Sequence, residues 1–241
     1  VIFMYLLYHI LTLVSTCSKL KMIAAVILLL LFGVLIYAVR NVDVQPIGPK
    51  NSEIGFATLN KAVNDLFGTH LIWYNITDWL GVAAILIAFG FACLGLYQLI
   101  SRKSLKKVDA DLYLLGAFYA VIMGVYVFFE ICIINYRPII LYADLEASFP
   151  SSHTMIVLCI MSTAIFQFNR RIHNNIVKKA VNGASILLIA ITIIGRLISG
   201  VHWFTDIIGG LLIGTSLILF YIALVQILDK SQYVVQNQID N

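Results

Sequence analysis

The chain reads as an all-α polytopic membrane bundle of about six transmembrane helices, with an interfacial amphipathic helix after the first. Hydrophobic residues make up 61% of the 241 residues and charged residues only 12%, and the mean hydropathy is +0.95. A water-soluble domain carries roughly a quarter charged residues, and even an unusually large soluble core would need a charged shell. The apolar residues are also gathered into runs of the length a bilayer requires.

A hydrocarbon layer about 30 Å thick takes ~20 residues of helix rising 1.5 Å each. Such runs lie near Met22–Val39, Trp79–Ile100, Leu112–Ile134, Thr154–Phe168, Val181–Ile198 and Phe204–Leu228. The fourth is short, closed by Asn169, Arg170 and Arg171, but it can begin earlier, at Ser151-Ser152-His153. Residues 1–14 are apolar yet too short to span comfortably. Lys19 and Lys21 precede a signal-like run at Met22, so residues 1–21 are expected to be an N-terminal extension or an over-called start. Residues 22–230 then form a single transmembrane domain, and residues 231–241 a cytoplasmic tail.

Orientation follows from the basic residues of the short connections. Lys19 and Lys21, then Arg102, Lys103, Lys106 and Lys107, then Arg170, Arg171, Lys178 and Lys179, and finally Lys230 all fall on one side. That side is expected to be the cytoplasm and to hold both termini. Across the membrane, the long segment between the first two runs carries Ile54, Phe56, Leu59, Val63 and Leu66 at helical spacing. Trp73, Tyr74 and Trp79 close it in the manner of an aromatic belt. A helix in the outer interface and an ordinary external loop both fit this segment. No dense basic run interleaved with aromatics exists, so nucleic acid is not an expected partner. The cysteines, Cys17, Cys93, Cys132 and Cys159, lie in or beside apolar runs without a CxxC pair and read as small hydrophobes.

Three polar stretches map to the outer side. They are Glu130-Ile-Cys-Ile-Ile-Asn-Tyr-Arg137-Pro138, Phe149-Pro150-Ser151-Ser152-His153-Thr154, and Gly195-Arg196-Leu-Ile-Ser199-Gly200-Val-His202-Trp-Phe-Thr205-Asp206. Charge within hydrocarbon costs at least ~2.5–3.5 kcal/mol per group near the centre, so these residues need partners or water. His202 and Asp206 are one helical turn apart. A carboxylate there can accept the imidazole Nδ1–H and leave Nε2 free as a nucleophile; a purely structural His–Asp pair has the same spacing. Pro-Ser-Ser-His opens a helix whose free N–H groups suit phosphate, with His153 placed to protonate a leaving oxygen. The same stretch also reads as a serine cap. Arg137 and Arg196 can each hold phosphate oxygens bidentately, or anchor to lipid headgroups. Taken together, two histidines, two arginines, an aspartate and a helix N-terminus on one face form a phosphoryl-transfer set that needs no metal and no other cofactor.

These residues resemble the type-2 phosphatidic acid phosphatase superfamily, which includes undecaprenyl-diphosphate phosphatases, phosphatidylglycerophosphatases and vanadium haloperoxidases. Its pattern is Lys, six residues, Arg-Pro; Pro-Ser-Gly-His; and Ser-Arg, five residues, His, three residues, Asp. Arg137-Pro138, Pro150-Ser151-Ser152-His153 and Arg196…His202…Asp206 match in order and spacing over roughly 130–206. The resemblance implies a metal-independent lipid phosphate or diphosphate phosphatase. His202 would attack phosphorus, Asp206 would orient it, His153 would protonate the leaving group, and Arg137, Arg196, Ser151 and Ser152 would bind phosphate. The implied substrate is a lipid phosphate drawn from the bilayer, with the site on the outer face of a bacterial cytoplasmic membrane. Tyr136, Ile139, Leu141 and Tyr142 are expected to border its access route.

Three positions depart from the pattern: Gly195 stands for Ser, Ser152 for Gly, and Glu130 for Lys. The last reverses a phosphate-binding charge. At an effective dielectric of ~20, a like charge ~4 Å from the phosphate costs on the order of 4 kcal/mol. The alternative that follows is a catalytically weak or inactive protein binding phospholipid or polyprenyl headgroups. A channel or transporter fits less well, because the charges collect at one face instead of lining the midplane.

Overall fold

Seven α-helices carry the residues described in this computed structural model, 17–239. They are α1 (Ser18–Asn41), α2 (Ala57–Phe67), α3 (Leu71–Arg102), α4 (Ala110–Ile131), α5 (Ser152–Arg171), α6 (Asn175–Ile198) and α7 (Phe204–Ile239). All but α2 are long and apolar enough to cross a membrane. Most of the extension expected over residues 1–21 lies outside the described residues, although α1 already begins at Ser18. At the other end α7 runs on to Ile239, through most of the segment expected to be a tail.

Several helices begin before their apolar runs, because hydropathy and backbone hydrogen bonding stop for different reasons. The α6 run opens at Val181, beyond Lys178 and Lys179. The helix itself starts at Asn175, where the Asn174 side chain accepts hydrogen bonds from the N–H groups of Ile176 (2.9 Å) and Val177 (3.1 Å). That is an N-cap, worth about 1 kcal/mol. Likewise α3 starts at Leu71 rather than Trp79, which brings Trp73, Thr77 and Asp78 onto a helix.

In the bundle α5 and α7 are central. Two thirds of the apolar window of α5 (67%) and half of that of α7 (50%) are buried inside the protein, against 17% for α1 and α3. The outer helices therefore turn most of their apolar surface to the surroundings, as lipid contact demands. Lipid tails are as apolar as leucine, so close packing and polar contacts must hold the helices together. Gly210 and Gly214 supply the first. A Cβ on Gly210 would lie 2.8 Å from the Ser151 carbonyl oxygen, and one on Gly214 would lie 3.2 Å from Leu158 Cδ2. Polar ties supply the second: Lys21 Nζ donates to Gln226 Oε1 (3.0 Å), Ser216 Oγ to the Ala25 carbonyl (2.8 Å), and Gln167 Nε2 to the Tyr221 hydroxyl oxygen (2.5 Å).

The helix α2 buries Ala57 and Asn60 and exposes Leu59 and Leu66, an apolar outer face suited to a membrane surface. Asn60 is fully buried and ties α2 to the start of α7. Its Nδ2 donates to Thr205 Oγ1 (3.0 Å), and its Oδ1 accepts from the Thr205 N–H (3.1 Å).

The basic connections between α3 and α4 and between α5 and α6 lie at the end of the bundle opposite the three polar stretches. There Arg170 and Arg171 pair with Asp111, at 3.4 Å and 3.1 Å, while Arg170 also meets Asp229 (2.6 Å). Asp111 is nearly buried, and its removal takes one carboxylate from two partly solvated guanidinium groups, leaving Arg170 with Asp229 and Arg171 with Asp109. Asp111→Ala is therefore expected to cost about 1–3 kcal/mol. It should lower the thermal unfolding midpoint in detergent and leave the chemistry at the far end unchanged.

Candidate active site

The three polar stretches converge at one end of the bundle, where α4, α6 and the turn before α7 meet the N-terminus of α5. The turn depends on Gly200, whose φ is +67°. A Cβ there would fall 2.5 Å from the Gly68 carbonyl oxygen, so this position needs both the left-handed backbone and the missing side chain. Three residues later Trp203 precedes the first residue of α7. Its N–H donates to Asp206 Oδ2 (2.8 Å), the reach-back of a capping box, and its indole N–H donates to the Tyr136 carbonyl (2.8 Å). Asp206 is thus fixed by the start of the helix that carries it.

His202 is buried, and its Nδ1 lies 3.1 Å from the Ser148 carbonyl oxygen. A carbonyl can only accept, so Nδ1 carries the proton and Nε2 holds the lone pair. The direct His202–Asp206 bond suggested by their spacing is replaced by a bridge. Nδ1 stands 3.7 Å from Asp206 Oδ2, while Ser148 Oγ lies 3.1 Å from Nδ1 and donates to Asp206 Oδ2 at 2.5 Å. The carboxylate sits too far along α7 to reach the ring, and the Ser148 hydroxyl fills the gap. Burial, then the positive charges of Arg137, Arg196 and His153, hold the His202 pKa well below the usual histidine range. The ring is therefore neutral at physiological pH.

Ser151 is the N-cap residue of α5, but its side chain makes no capping bond. Its hydroxyl accepts from Thr154 Oγ1 (3.0 Å), and its N–H donates to the Asp206 carbonyl (2.9 Å). The serine-cap alternative therefore does not hold, and the first turn of α5 keeps its uncapped N–H groups beside Ser152 and His153.

The arginines arrive with carboxylates. Arg137 Nε faces Glu146 Oε2 at 2.9 Å across the connection from α4 to α5, where Tyr136 and Ala147 form an antiparallel bridge. Arg196 is fully buried at the end of α6. Its guanidinium lies over the Tyr74 ring, 5.0 Å from the centroid, and its Nη2 donates to Asp78 Oδ1. The same carboxylate oxygen is 3.1 Å from His153 Nε2. Arg137 Nη1, Arg196 Nε and Nη1, and His202 Nε2 are buried and have no hydrogen-bond partner among the described residues. Each such atom costs about 1–3 kcal/mol if left so. A cluster of them from two of the three polar stretches marks a place shaped for an anion.

Two adjoining cavities lie at this end of the bundle. A small one, about 10 Å³, is bounded by His202, Ser148, Ser152, Tyr126 and Glu130. A larger groove of about 540 Å³ runs from Asp78, Ser152 and His153 down between α3, α4 and α5, past Val82, Ile85, Ile122 and Met123. Tyr126 and Ser152 border both. The groove is apolar, and Tyr136, Ile139, Leu141 and Tyr142, expected to border the access route, do not line it. Glu130, on the last turn of α4, is exposed at the small cavity; the carboxylate on Arg137 is Glu146 instead.

Asp78, Glu146 and Ser148 are the site residues that the sequence motifs miss. An acid one residue before an apolar run is the only signal Asp78 gives. Ser148 and Glu146 sit in an irregular connection without periodicity.

Residues 123–230 match the PAP2 superfamily. No curated protein matches the chain. Among solved structures, the chain resembles a transmembrane PAP2-type phosphatidylglycerolphosphate phosphatase from Bacillus subtilis, with 19% identity and a TM-score of 0.56 over 86% of this chain and 96% of that one. At that identity the likeness establishes a shared fold. The family match covers less than half of the chain, but it spans Arg137, His153, Arg196, His202 and Asp206.

Proposed function

We propose that the protein is a membrane phosphatase that hydrolyses a lipid phosphate or diphosphate through a phosphohistidine. The observation carrying this reading is the joined geometry: His202, whose Nε2 is buried and unpartnered like guanidinium N–H groups of Arg137 and Arg196, borders a small cavity that shares Tyr126 and Ser152 with a 540 Å³ apolar groove headed by Asp78 and His153. A headgroup phosphate held by the arginines and the first turn of α5 leaves its lipid tail to the groove. His202 Nε2 attacks phosphorus as the P–O bond to the leaving group breaks, and protonated His153 gives that oxygen its proton. Water then attacks the phosphohistidine with His153, now neutral, as base. Phosphate departs and His202 regains its lone pair. Ser148 and Asp206 support the positive charge that develops on the His202 ring. With the basic connections in the cytoplasm, the site faces outward.

The purified protein in detergent should release orthophosphate from long-chain phosphatidic acid or a polyprenyl diphosphate far faster than from glycerol 3-phosphate, which has no tail for the groove. Equal rates on both, or no release from any lipid, would remove the proposal.

Glu130 favours a second reading, a headgroup binder with weak chemistry, because it lines the same small cavity as His202. Glu130→Lys is expected to raise kcat/KM for a lipid phosphate by about tenfold, through relief of charge repulsion at a partly exposed position. Activity that emerges only in this variant would favour the binder.

A further inference from the structure

Asp78 lies outside all three sequence motifs, yet it joins two of them. One oxygen of its carboxylate accepts from the Nη2 of Arg196 and from Nε2 of His153, the latter at 3.1 Å. Two glycines make this junction sterically accessible. A Cβ on Gly81, one turn after Asp78 on α3, would lie 3.1 Å from His153 Cδ2 and 3.4 Å from Nε2, so the ring lies flush against α3 only because that side chain is absent. A Cβ on Gly195 would lie 2.6 Å from Thr77 Cγ2 and 3.2 Å from Trp73 Cε3, so α6 carries Arg196 up to Asp78 only with glycine there. Gly195 is also where the resembling family has serine. The closeness of α3 to both α5 and α6 is thus built into the sequence around Asp78.

We infer that Asp78 is the positioning residue of the general acid. It holds His153 by Nε2, turns Nδ1 to the leaving group, and ties the acid to the arginine that binds phosphate. A histidine bonded through Nε2–H to a carboxylate has Nδ1 as its only other nitrogen, and Nδ1 makes no hydrogen bond among the described residues. When the imidazolium forms, its second N–H is the one at Nδ1, and the carboxylate stabilises that charge. As the P–O bond breaks, its electron pair goes to the leaving oxygen and the Nδ1 proton follows. The result is neutral His153, still anchored to Asp78. On the other side of the phosphorus, Asp206 acts on His202 through Ser148 in the corresponding way. Each histidine has its own carboxylate.

This rests on the reading of His153 as the acid, and the test separates the two. Two substrates with the same tail are compared: dodecyl phosphate, whose alkoxide leaving group needs a proton, and a dodecyl-substituted nitrophenyl phosphate, whose leaving group does not. In the full-length protein, Asp78→Asn is expected to lower kcat/KM on dodecyl phosphate by about 10- to 100-fold and on the nitrophenyl ester by less than threefold. Retained activity on the second substrate also shows that the variant folds. His153→Ala should show the same contrast, larger, and adding Asp78→Asn to it should cost nothing more on dodecyl phosphate. If His153→Ala shows the contrast and Asp78→Asn does not, the role given to Asp78 is wrong. If neither shows it, His153 is not the acid. Equal losses on both substrates, or a gain of activity in Asp78→Asn, also overturn the inference, since a carboxylate that merely braces the fold or blocks Arg196 would act without regard to the leaving group.

Discussion

His202→Ala is expected to lower kcat/KM for a lipid phosphate by about 10⁴-fold or more, the scale on which nucleophile deletions act. The structure leaves no substitute. His153 is the other imidazole at the cluster, and its Nε2 is committed to Asp78, while Ser148 is committed to Asp206. The loss should come without loss of the fold. The α7 cap contact from the Trp203 N–H to Asp206 does not involve the ring, so the thermal midpoint in detergent should move little. The wild-type pH profile offers a companion check. His202 has its pKa held well below the usual histidine range by burial and by neighbouring positive charge. A depressed value means that protonation, and with it loss of the nucleophile, begins only at pH below that range. Any acid-side loss due to His202 should therefore lie below about pH 6.5.

Arg196→Ala should cost about 10²–10³-fold in kcat/KM, comparable to removing a preorganised donor from a transition-state oxygen. Arg196→Lys should recover little. Arg196 has to serve Asp78 through Nη2 while presenting Nε and Nη1 elsewhere, and a lysine ammonium cannot offer donors in that fixed fork. Full burial sharpens the contrast, because the guanidinium occupies a slot between Asp78 and the Tyr74 ring with no freedom for a flexible amine to search. Steady-state kinetics on phosphatidic acid across wild type, Arg196→Lys and Arg196→Ala would check this. Near-complete recovery in the lysine variant would mean that charge alone suffices.

Much of the molecule was legible because bilayer physics is unforgiving. Each spanning segment must satisfy its own backbone, so the apolar runs at Met22–Val39 and Phe204–Leu228 could be little other than helices. The motif residues were legible because ionisable groups at the ends of such runs are rare. What escaped is what topology alone creates. Asp78 lies far from Arg196 and His153 in the chain and becomes their partner only when α3 packs on α5 and α6 through Gly81 and Gly195. Ser148 becomes the link between His202 and Asp206 only through the fold of an irregular connection. The start of α6 was missed for a local reason: Lys178 and Lys179 end an apolar run but not a helix, and the cap at Asn174 decides where the helix begins.

Brief incubation with a lipid phosphate labelled at phosphorus, followed by a rapid alkaline quench, asks whether phosphorus is ever bonded to this chain. Wild-type protein should carry acid-labile, base-stable label that maps to residue 202, and the His202→Ala protein should carry none. Turnover that continues at the wild-type rate in His202→Ala, or label that maps to a different side chain, would show that the imidazole held by Ser148 and Asp206 is not the attacking group.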